Sequence, residues 1–435
     1  MDLYFEDRLP DIHVNFGVGG EMSSQFSVGI LFDVLKEFRT MSVWHIKKGG
    51  SIPFSAAIHN GVVYFGACDC NFYALELETG KELFRFSAPD MIMSSAVFYK
   101  DAVFFGSYDG SFYSLDAAGS VRWKFQAGDR IFTEPRLAGD LIIFGSKDGN
   151  IYALKTEDGN QSWIFHTGGP VADCLWVKGG TVYAGSWDGN LYALDSATGG
   201  MLWKFQADSI PACVAAENDA VYIGTLGSML YSLSAGNGKV MWKFHAPEGV
   251  RYVLADSDMI FFACRDECIY CVDGRNGKLT WKFRIASIPG PLVISDGILY
   301  AGSWDVSLFA IRHKTGELAW KFETAGAILA GAAVSDSRIL VGSVDCHMYA
   351  IDKNGKLIWK FKTSIGEQAV IDTEAVRTEA SILSLNFKLE PFKPEIKNEE
   401  EFRLREYGGH GGHYMDFSTD YLGGGMHYLK KGTDR

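Results

Sequence analysis

The fold is decided by residues 181–205, which read TVYAGSWDGNLYALDSATGGMLWKF. Apolar and polar residues alternate on both sides of Asp188-Gly189, a dipeptide typical of tight hairpin turns. A second turn at Thr198-Gly199 leads into a short aromatic strand. The pattern predicts antiparallel strands at residues 182–186, 190–195 and 201–205. The preceding segment, residues 171–177, is apolar and rich in small side chains, which predicts an inner strand that lines a channel.

This unit recurs eight times along the chain. An aromatic residue at the start of a short basic-aromatic strand returns every 39 or 40 residues, at Phe84, Trp123, Trp163, Trp203, Trp242, Trp281, Trp320 and Trp359. A turn aspartate returns in step, except in the fifth copy, where Gly227 stands in its place. A single four-stranded sheet cannot bury both faces alone, so such repeats stack around an axis. We therefore predict an all-β fold over residues 44–365, an eight-bladed β-propeller of four-stranded antiparallel blades.

Trp44 lies 40 residues before Phe84 and resembles a ninth outer strand. Because eight complete blades already end at Trp359, this strand is surplus. We expect it to pair with the last blade and to help close the ring.

The composition disfavours several classes of function. The formal net charge of −12 disfavours a nucleic-acid-binding groove, and no stretch approaches the length of a membrane span. The acidic N-terminus does not resemble a signal peptide. The eight cysteines are then most simply reduced thiols, which predicts a cytoplasmic protein without a bound metal or cofactor.

The eleven residues from Ala193 to Trp203 are similar to the tryptophan-docking motif of pyrroloquinoline-quinone (PQQ) type propeller repeats, a quinoprotein-like and BamB-like family. The resemblance implies that each indole packs across the blade interface, against a small residue and the turn glycine of a neighbour. WD40 propellers are the nearest alternative, because Trp187-Asp188 and Trp304-Asp305 spell their dipeptide. Here the dipeptide sits in a hairpin turn, and the periodic tryptophan follows fifteen or sixteen residues later.

Both ends lie outside the repeat. In residues 1–43, the apolar residues Leu31, Val34, Leu35 and Phe38 have helical spacing and predict a short amphipathic helix, which either covers the propeller or docks a partner. Residues 366–435 form an irregular extension whose end is rich in Gly, His and Tyr. His410, His413 and His427 are transition-metal ligands by type, but a glycine-rich arm lacks the fixed geometry of a tight site.

The cysteines form two patterns that resemble known sites. Cys264, Cys268 and Cys271 have the Cys-x3-Cys-x2-Cys spacing of the radical-SAM cluster motif. Each one, however, falls where other copies carry a small strand residue or a residue just past the turn, so we interpret them as small buried side chains. Cys70 and Cys346 occupy equivalent turns of the first and last blades, which leaves open a disulfide or metal site at the ring closure.

The mouth of the channel is the predicted binding site, because the hairpin turns and the loops entering the inner strands gather there. The residue before the turn aspartate is aromatic at three places, and three inner-strand entries carry charged or aromatic residues instead of small ones. Structural ion pairing is the alternative explanation of these charges. The candidate residues are Tyr108, Arg130, Glu134, Asp173, Trp187, Arg251, Tyr252 and Trp304.

The sequence favours a non-catalytic scaffold that binds another protein through the propeller face or the two extensions. The alternative is a propeller that binds or senses a small ligand, such as a sugar or a quinone-like molecule. A PQQ-dependent dehydrogenase is the least favoured interpretation. Those enzymes are expected to carry adjacent cysteines, a calcium site and long insertions, whereas these copies hold to 39 or 40 residues.

Overall fold

The computed structural model of the chain describes residues 50–363, with the side chains of residues 172 and 173 excepted. This part contains 32 strands and no helix, arranged as eight four-stranded antiparallel sheets. Each sheet is built from four consecutive strands, which confirms the predicted eight-bladed propeller. The predicted N-terminal helix, the Trp44 strand and the C-terminal extension lie outside the described residues.

The first four blades comprise strands β1 to β16. Blades 1 and 2 contain β1 (Ala57–His59), β2 (Val62–Gly66), β3 (Asn71–Glu76), β4 (Glu82–Ser87), β5 (Val97–Tyr99), β6 (Ala102–Gly106), β7 (Ser111–Asp116) and β8 (Val121–Gln126). Blades 3 and 4 contain β9 (Arg136–Ala138), β10 (Leu141–Gly145), β11 (Asn150–Lys155), β12 (Gln161–His166), β13 (Val171–Lys178), β14 (Thr181–Ser186), β15 (Asn190–Asp195) and β16 (Met201–Gln206).

The last four blades comprise strands β17 to β32. Blades 5 and 6 contain β17 (Pro211–Glu217), β18 (Ala220–Thr225), β19 (Met229–Ser234), β20 (Val240–His245), β21 (Val250–Asp256), β22 (Met259–Cys264), β23 (Cys268–Asp273) and β24 (Leu279–Arg284). Blades 7 and 8 contain β25 (Pro289–Ser295), β26 (Ile298–Ser303), β27 (Ser307–Arg312), β28 (Leu318–Glu323), β29 (Ala333–Val334), β30 (Ile339–Gly342), β31 (His347–Ile351) and β32 (Leu357–Lys362).

The hydrophobic core lies between blades, because the second and third strands of each sheet bury apolar side chains on both faces. The cluster that joins the first and last blades shows the pattern: Phe65 and Tyr73 from blade 1 pack with Leu340 and Met348 from blade 8. At this interface a Cβ on Gly342 would lie 2.5 Å from Cγ2 of Ile52, so only glycine permits the approach.

Ring closure needs no shared strand among the described residues, since every sheet takes all four strands from its own repeat. Instead, the Ile52 N–H donates to the Ser343 carbonyl at 3.1 Å. The Thr363 hydroxyl donates to the Gly50 carbonyl at 2.6 Å. One backbone bond and one side-chain bond, together with the packing above, therefore join blade 8 to blade 1.

The repeated tryptophans bridge consecutive blades. Each indole N–H donates to a backbone carbonyl of the next blade at 2.8–3.1 Å, and each ring lies against the glycine of that blade's last turn. Trp359 makes this contact across the ring closure, with Leu77 and Gly80 of blade 1. Phe84 occupies the same place against Gly119 without an indole donor.

The inner strands divide the ring into two halves. The first strands of blades 1, 2, 3 and 8 are two or three residues long, whereas those of blades 4 to 7 span seven or eight. In the half with the short first strands, buried hydroxyls make some of the hydrogen bonds that a longer strand would make. The Thr133 hydroxyl exchanges bonds of 3.0 Å with both the N–H and the carbonyl of Gly145. Ser94 in turn donates to the Thr133 carbonyl at 3.0 Å.

Candidate functional site at the channel mouth

The mouth is the end of the ring where the hairpins between second and third strands meet the segments that enter the first strands. One backbone hydrogen bond of 2.9–3.3 Å joins the two in every blade. Its donor is always the residue before the turn: Cys68, Tyr108, Lys147, Trp187, Leu226, Arg265, Trp304 or Val344. These eight residues therefore form one ring of equivalent positions, the mouth ring, on a rigid backbone frame.

A tyrosine braces most of the turns beneath this ring. In six blades the tyrosine four residues past the turn aspartate donates to its carboxylate at 2.5–2.7 Å. Burial alone would raise the pKa of Asp188, but hydrogen bonds from Tyr192 and from the N–H groups of Asn190 and Gly168 outweigh it and lower the pKa. Burial and the bond to Asp188 raise the pKa of Tyr192 to about 12. The turns are thus charged, hydrogen-bonded supports of the mouth.

In blade 5 a different residue supplies the carboxylate at this turn. Gly227 replaces the turn aspartate, but Asp208, from the segment entering β17, occupies the same space: a Cβ on Gly227 would lie 2.6 Å from its Oδ2. The Thr225 hydroxyl donates to Asp208 at 3.0 Å. Burial first, and then the charge and hydrogen bond of Asp208, raise the pKa of Tyr231. In blade 4 the pair is reversed, with glycine at 168 and aspartate at 188.

The turn of blade 7 lacks the tyrosine brace. Phe309 stands where six blades carry the bracing tyrosine, and Oδ1 of Asp305 is buried without a hydrogen-bond partner among the described residues. Val306, which follows Asp305, has a φ of 68°. A β-branched residue is strained in this left-handed region. Three other blades place glycine at this position.

The structure brings Arg130 and Tyr108 together in the mouth. The guanidinium carbon of Arg130 lies 5.4 Å from the centre of the Tyr108 ring, and that tyrosine is only 6% exposed. Lys147, which the sequence reading missed, donates its N–H to the Arg130 carbonyl at 3.0 Å. Burial and the charge of Arg130 lower the pKa of Lys147. One cation therefore lies over an aromatic ring, and a second lies near enough to feel its charge.

Glu134 pairs with a cation of its own blade. It forms a two-pronged ion pair of 2.8 and 2.9 Å with Arg136, another residue that the sequence reading missed. The Arg136 guanidinium also lies 4.8 Å from the Trp176 ring centre and donates to the Leu175 carbonyl. Glu134 thus forms an ion pair within blade 3, and the paired Arg136 carries the contact to blade 4.

The remaining predicted residues are spread around the mouth. Arg251 lies 5.6 Å from the ring of its neighbour Tyr252, so a second cation and aromatic pair stands in blade 6, beside Arg265 of the mouth ring. Trp187 and Trp304 are half-buried members of the mouth ring in blades 4 and 7. The side chain of Asp173 lies outside the described residues.

The cysteines do not form a shared centre. None of the eight is in a disulfide. Cys264 and Cys268 face each other across β22 and β23, and each thiol donates to a nearby backbone carbonyl, at 3.3 and 3.4 Å. Within residues 50–363 no group of three or more His, Cys, Asp or Glu side chains is placed to bind a metal ion. In the same part of the chain, no helix is long and apolar enough to cross a membrane.

A separate cavity of about 240 Å³ opens between blades 2 and 3, at the opposite end of the sheets from the mouth. Ala102 and Phe104 form its apolar wall. In blade 5, Tyr222 extends its hydroxyl to within 3.4 Å of the Gly274 carbonyl, which also accepts the docked indole. The lining residues are Tyr99, Lys100, Asp101, Ala102, Phe104, Arg122, Thr156 and Glu157.

Solved structures share the fold. A computationally designed protein, Ika8, is 16% identical with a TM-score of 0.62, covering 72% of this chain and 97% of its own. BamB from Moraxella catarrhalis is 19% identical with a TM-score of 0.58, covering 67% and 93%. Sqt1 from Saccharomyces cerevisiae is 13% identical with a TM-score of 0.63, covering 71% and 97%. At these identities the likeness shows the propeller fold alone.

The sequence comparison is more specific. No curated protein matches the chain. One family model does, and it matches four times, over residues 37–163, 71–206, 187–287 and 265–386. These matches overlap and together take in most of the sequence. The chain therefore belongs to the family described as outer membrane protein assembly factor BamB.

Proposed function

We propose that this protein is a non-catalytic scaffold that binds another protein at the channel mouth. The observation that carries the proposal is the mouth ring itself, in which half-exposed aromatic and cationic side chains stand on a frame of eight equivalent backbone hydrogen bonds. Aromatic and arginine side chains on a rigid support are the residues that dominate protein interfaces. Membership of a family named for an assembly factor supports the same function.

The charges at the channel mouth indicate the chemistry of the partner. Arg130 with Lys147, and Arg251 with Arg265, place two pairs of cations in blades 3 and 6. The turn aspartates of these two blades are already engaged. Asp148 accepts from the Tyr152 hydroxyl and from the N–H groups of Gly128 and Asn150. Asp266 accepts from the Tyr270 hydroxyl and the Lys282 ammonium. We therefore expect a segment with carboxylate and aromatic side chains, which forms charge-assisted hydrogen bonds and stacks on Trp187 or Trp304.

Affinity purification of the full chain from its native host tests the proposal. We expect a stoichiometric partner with the wild type, and at least a tenfold lower yield of it with Arg251→Ala or Trp187→Ala. Arg275→Ala is the matched control, because Arg275 lies in an exposed turn at the other end of the sheets and, within residues 50–363, forms its ion pair with Asp273. A partner retained by the mouth variants but lost with the control would contradict the proposal, as would a chain that purifies alone.

The described residues do not fit a quinone-dependent enzyme. In all eight repeats a short turn joins the second and third strands, without insertions that would wall a pocket. The cysteines are never adjacent, and none of the side chains described for this chain form a three-ligand metal group. We infer no catalytic step. Incubation with PQQ and calcium, followed by dialysis and absorbance measurement, is expected to leave no bound quinone.

The cavity between blades 2 and 3 favours a second candidate function, the binding of a small ligand. Arg122 and Lys100 offer cations, whereas Glu157 makes no hydrogen bond or ion pair among the described residues. Apolar walls at Ala102 and Phe104 complete a space smaller than typical drug-sized pockets. A small zwitterion, with one carboxylate and one ammonium group, matches this lining.

Calorimetry with a panel of single amino acids tests that candidate. Phe104→Tyr copies the arrangement of Tyr222 and fills the space, so it is expected to abolish binding while the protein stays folded. Phe261→Tyr makes the same change at the equivalent position of blade 6 and is expected to leave binding intact. Equal binding by both variants, or none by the wild type, would exclude this site.

We further propose that the protein acts in the cytoplasm. None of the eight cysteines forms a disulfide, which supports a reducing compartment. Subcellular fractionation of the native host, with a thiol-alkylation assay on the isolated protein, tests this placement. Recovery in an exported fraction would overturn it.

A further inference from the structure

The outer strands of the blades are open sheet edges. The fourth strand of each blade pairs on one side with the third strand and, among the described residues, with no strand on the other. An open edge presents unpaired backbone N–H and C=O groups, which invite pairing with another chain unless charges or bulges oppose it. Each outer strand has a bulge near its second residue, so this protection is shared by all eight.

The second protection, a cation at the middle of the edge, is missing in one blade. Seven outer strands carry a lysine or arginine directly after the docked aromatic residue: Arg85, Lys124, Lys204, Lys243, Lys282, Lys321 and Lys360. In β12 of blade 3 this position is Ile164. The six residues of β12, Gln161–His166, include no Lys, Arg, Asp or Glu.

The backbone does not account for the exception. Ile164 pairs with Tyr152 across the ladder, in the register that places Lys124 opposite Tyr113 and Lys204 opposite Tyr192. In blade 2 the lysine ammonium lies 5.1 Å from the tyrosine ring centre. A lysine at 164 therefore has the same ring partner available. Ile164 instead packs against the apolar cluster between blades 2 and 3, and the charge that the other seven edges carry is absent.

We propose that β12 is the site where a second copy of this chain docks, by antiparallel pairing of two β12 edges across a two-fold axis. Such pairing brings the central side chain of an edge close to its own copy. At the seven other edges this places two cations together, which is destabilising. At β12 it places two isoleucines together and joins the two third blades into one eight-stranded sheet.

The strength of this contact is limited by its size. The bulge at residue 162 leaves Trp163 to His166 as the regular part of the edge. Pairing over so short a strand buries far less than the roughly 1,600 Å² of a standard stable interface. We therefore expect a weak dimer that forms reversibly with concentration, while the channel mouth of each copy stays open for its partner.

Sedimentation velocity of the full chain over a hundredfold concentration range tests the proposal. The wild type is expected to shift from monomer towards dimer, and Ile164→Lys is expected to weaken association at least tenfold. That variant copies seven other blades, so we expect it to fold. Leu202→Lys adds the same charge to the outer strand of blade 4, at a residue that is 56% exposed, and is expected to dimerise like the wild type.

A second measurement uses the wild type alone. Amide hydrogen exchange is expected to slow in β12 as the concentration rises, while the equivalent amides of β16 exchange at an unchanged rate. A wild type that stays monomeric throughout the range, or an Ile164→Lys variant that associates equally well, would overturn the proposal. So would concentration-dependent protection confined to another strand.

Discussion

The exchange of glycine and aspartate between blades 4 and 5 predicts a strong coupling between two distant sequence positions. Asp208→Gly removes the carboxylate that braces the fifth turn. Gly227→Asp adds a carboxylate where one already lies, since a Cβ there meets Oδ2 of Asp208 at 2.6 Å. The double variant restores the arrangement of blade 4, where the Gly168 N–H donates to Asp188 at 2.8 Å.

The magnitudes follow from these contacts. Asp208→Gly loses a hydrogen bond of 3.0 Å from the Thr225 hydroxyl to a charged acceptor, and such bonds contribute about 1.5–3 kcal/mol. Gly227→Asp forces a displacement and brings two like charges together, and at about 4 Å these repel by roughly 1–4 kcal/mol. Gly227 is not in the left-handed region, so an aspartate fits its backbone. We expect each single variant to lose about 2 kcal/mol and the double variant to lose less than about 1 kcal/mol.

Equilibrium denaturation with guanidinium, followed by fluorescence and circular dichroism, measures the four free energies of unfolding. Coincident transitions by the two probes are needed before a free energy is assigned to so large a chain. The reverse exchange in blade 4, Gly168→Asp with Asp188→Gly, is the matched control and is expected to be tolerated equally well. If the losses of the single variants simply add in the double variant, the two residues do not share one site and the reasoning fails.

Three further predictions concern single turns and interfaces. Val306→Gly relieves a left-handed valine at a cost in chain entropy, and we expect about 0.5–1 kcal/mol of added stability in the same denaturation assay. Phe84→Trp supplies the missing indole donor against Gly119, and a gain of about 0.5–1.5 kcal/mol is expected; a lower melting temperature would contradict it. Stability should also depend on pH through the turns. Because the pKa of Asp188 is lowered on folding, its contribution is present above the ordinary value of 3.8 and is lost as pH falls towards the folded pKa. Because the pKa of Tyr192 is raised from 10.0 to about 12, its contribution is lost as pH rises across that window. Asp188→Asn, compared with the wild type by thermal melting across pH, should flatten the acid limb, and an unchanged limb would count against the assignment.

Many residues of the candidate site could be predicted from the sequence. The period of 39 or 40 residues placed Trp187 and Trp304 at one end of the ring, because equivalent repeat positions take equivalent places. Lys147 and Arg265 were missed although they occupy the same repeat position as Trp187, since only aromatic residues were sought there. Arg136 was missed because its contact with the ring of Trp176 forms only when blades 3 and 4 pack.

By itself the sequence determined the blade count, the strand order and the turns. These depend on local alternation and on turn residues, which act within a few positions along the chain. Tertiary structure alone decided how the missing aspartate of blade 5 is replaced, since Asp208 and Gly227 meet only through folding. It likewise decided how residues 50–363 close the ring and where a cavity opens, because both depend on side chains that approach from different repeats.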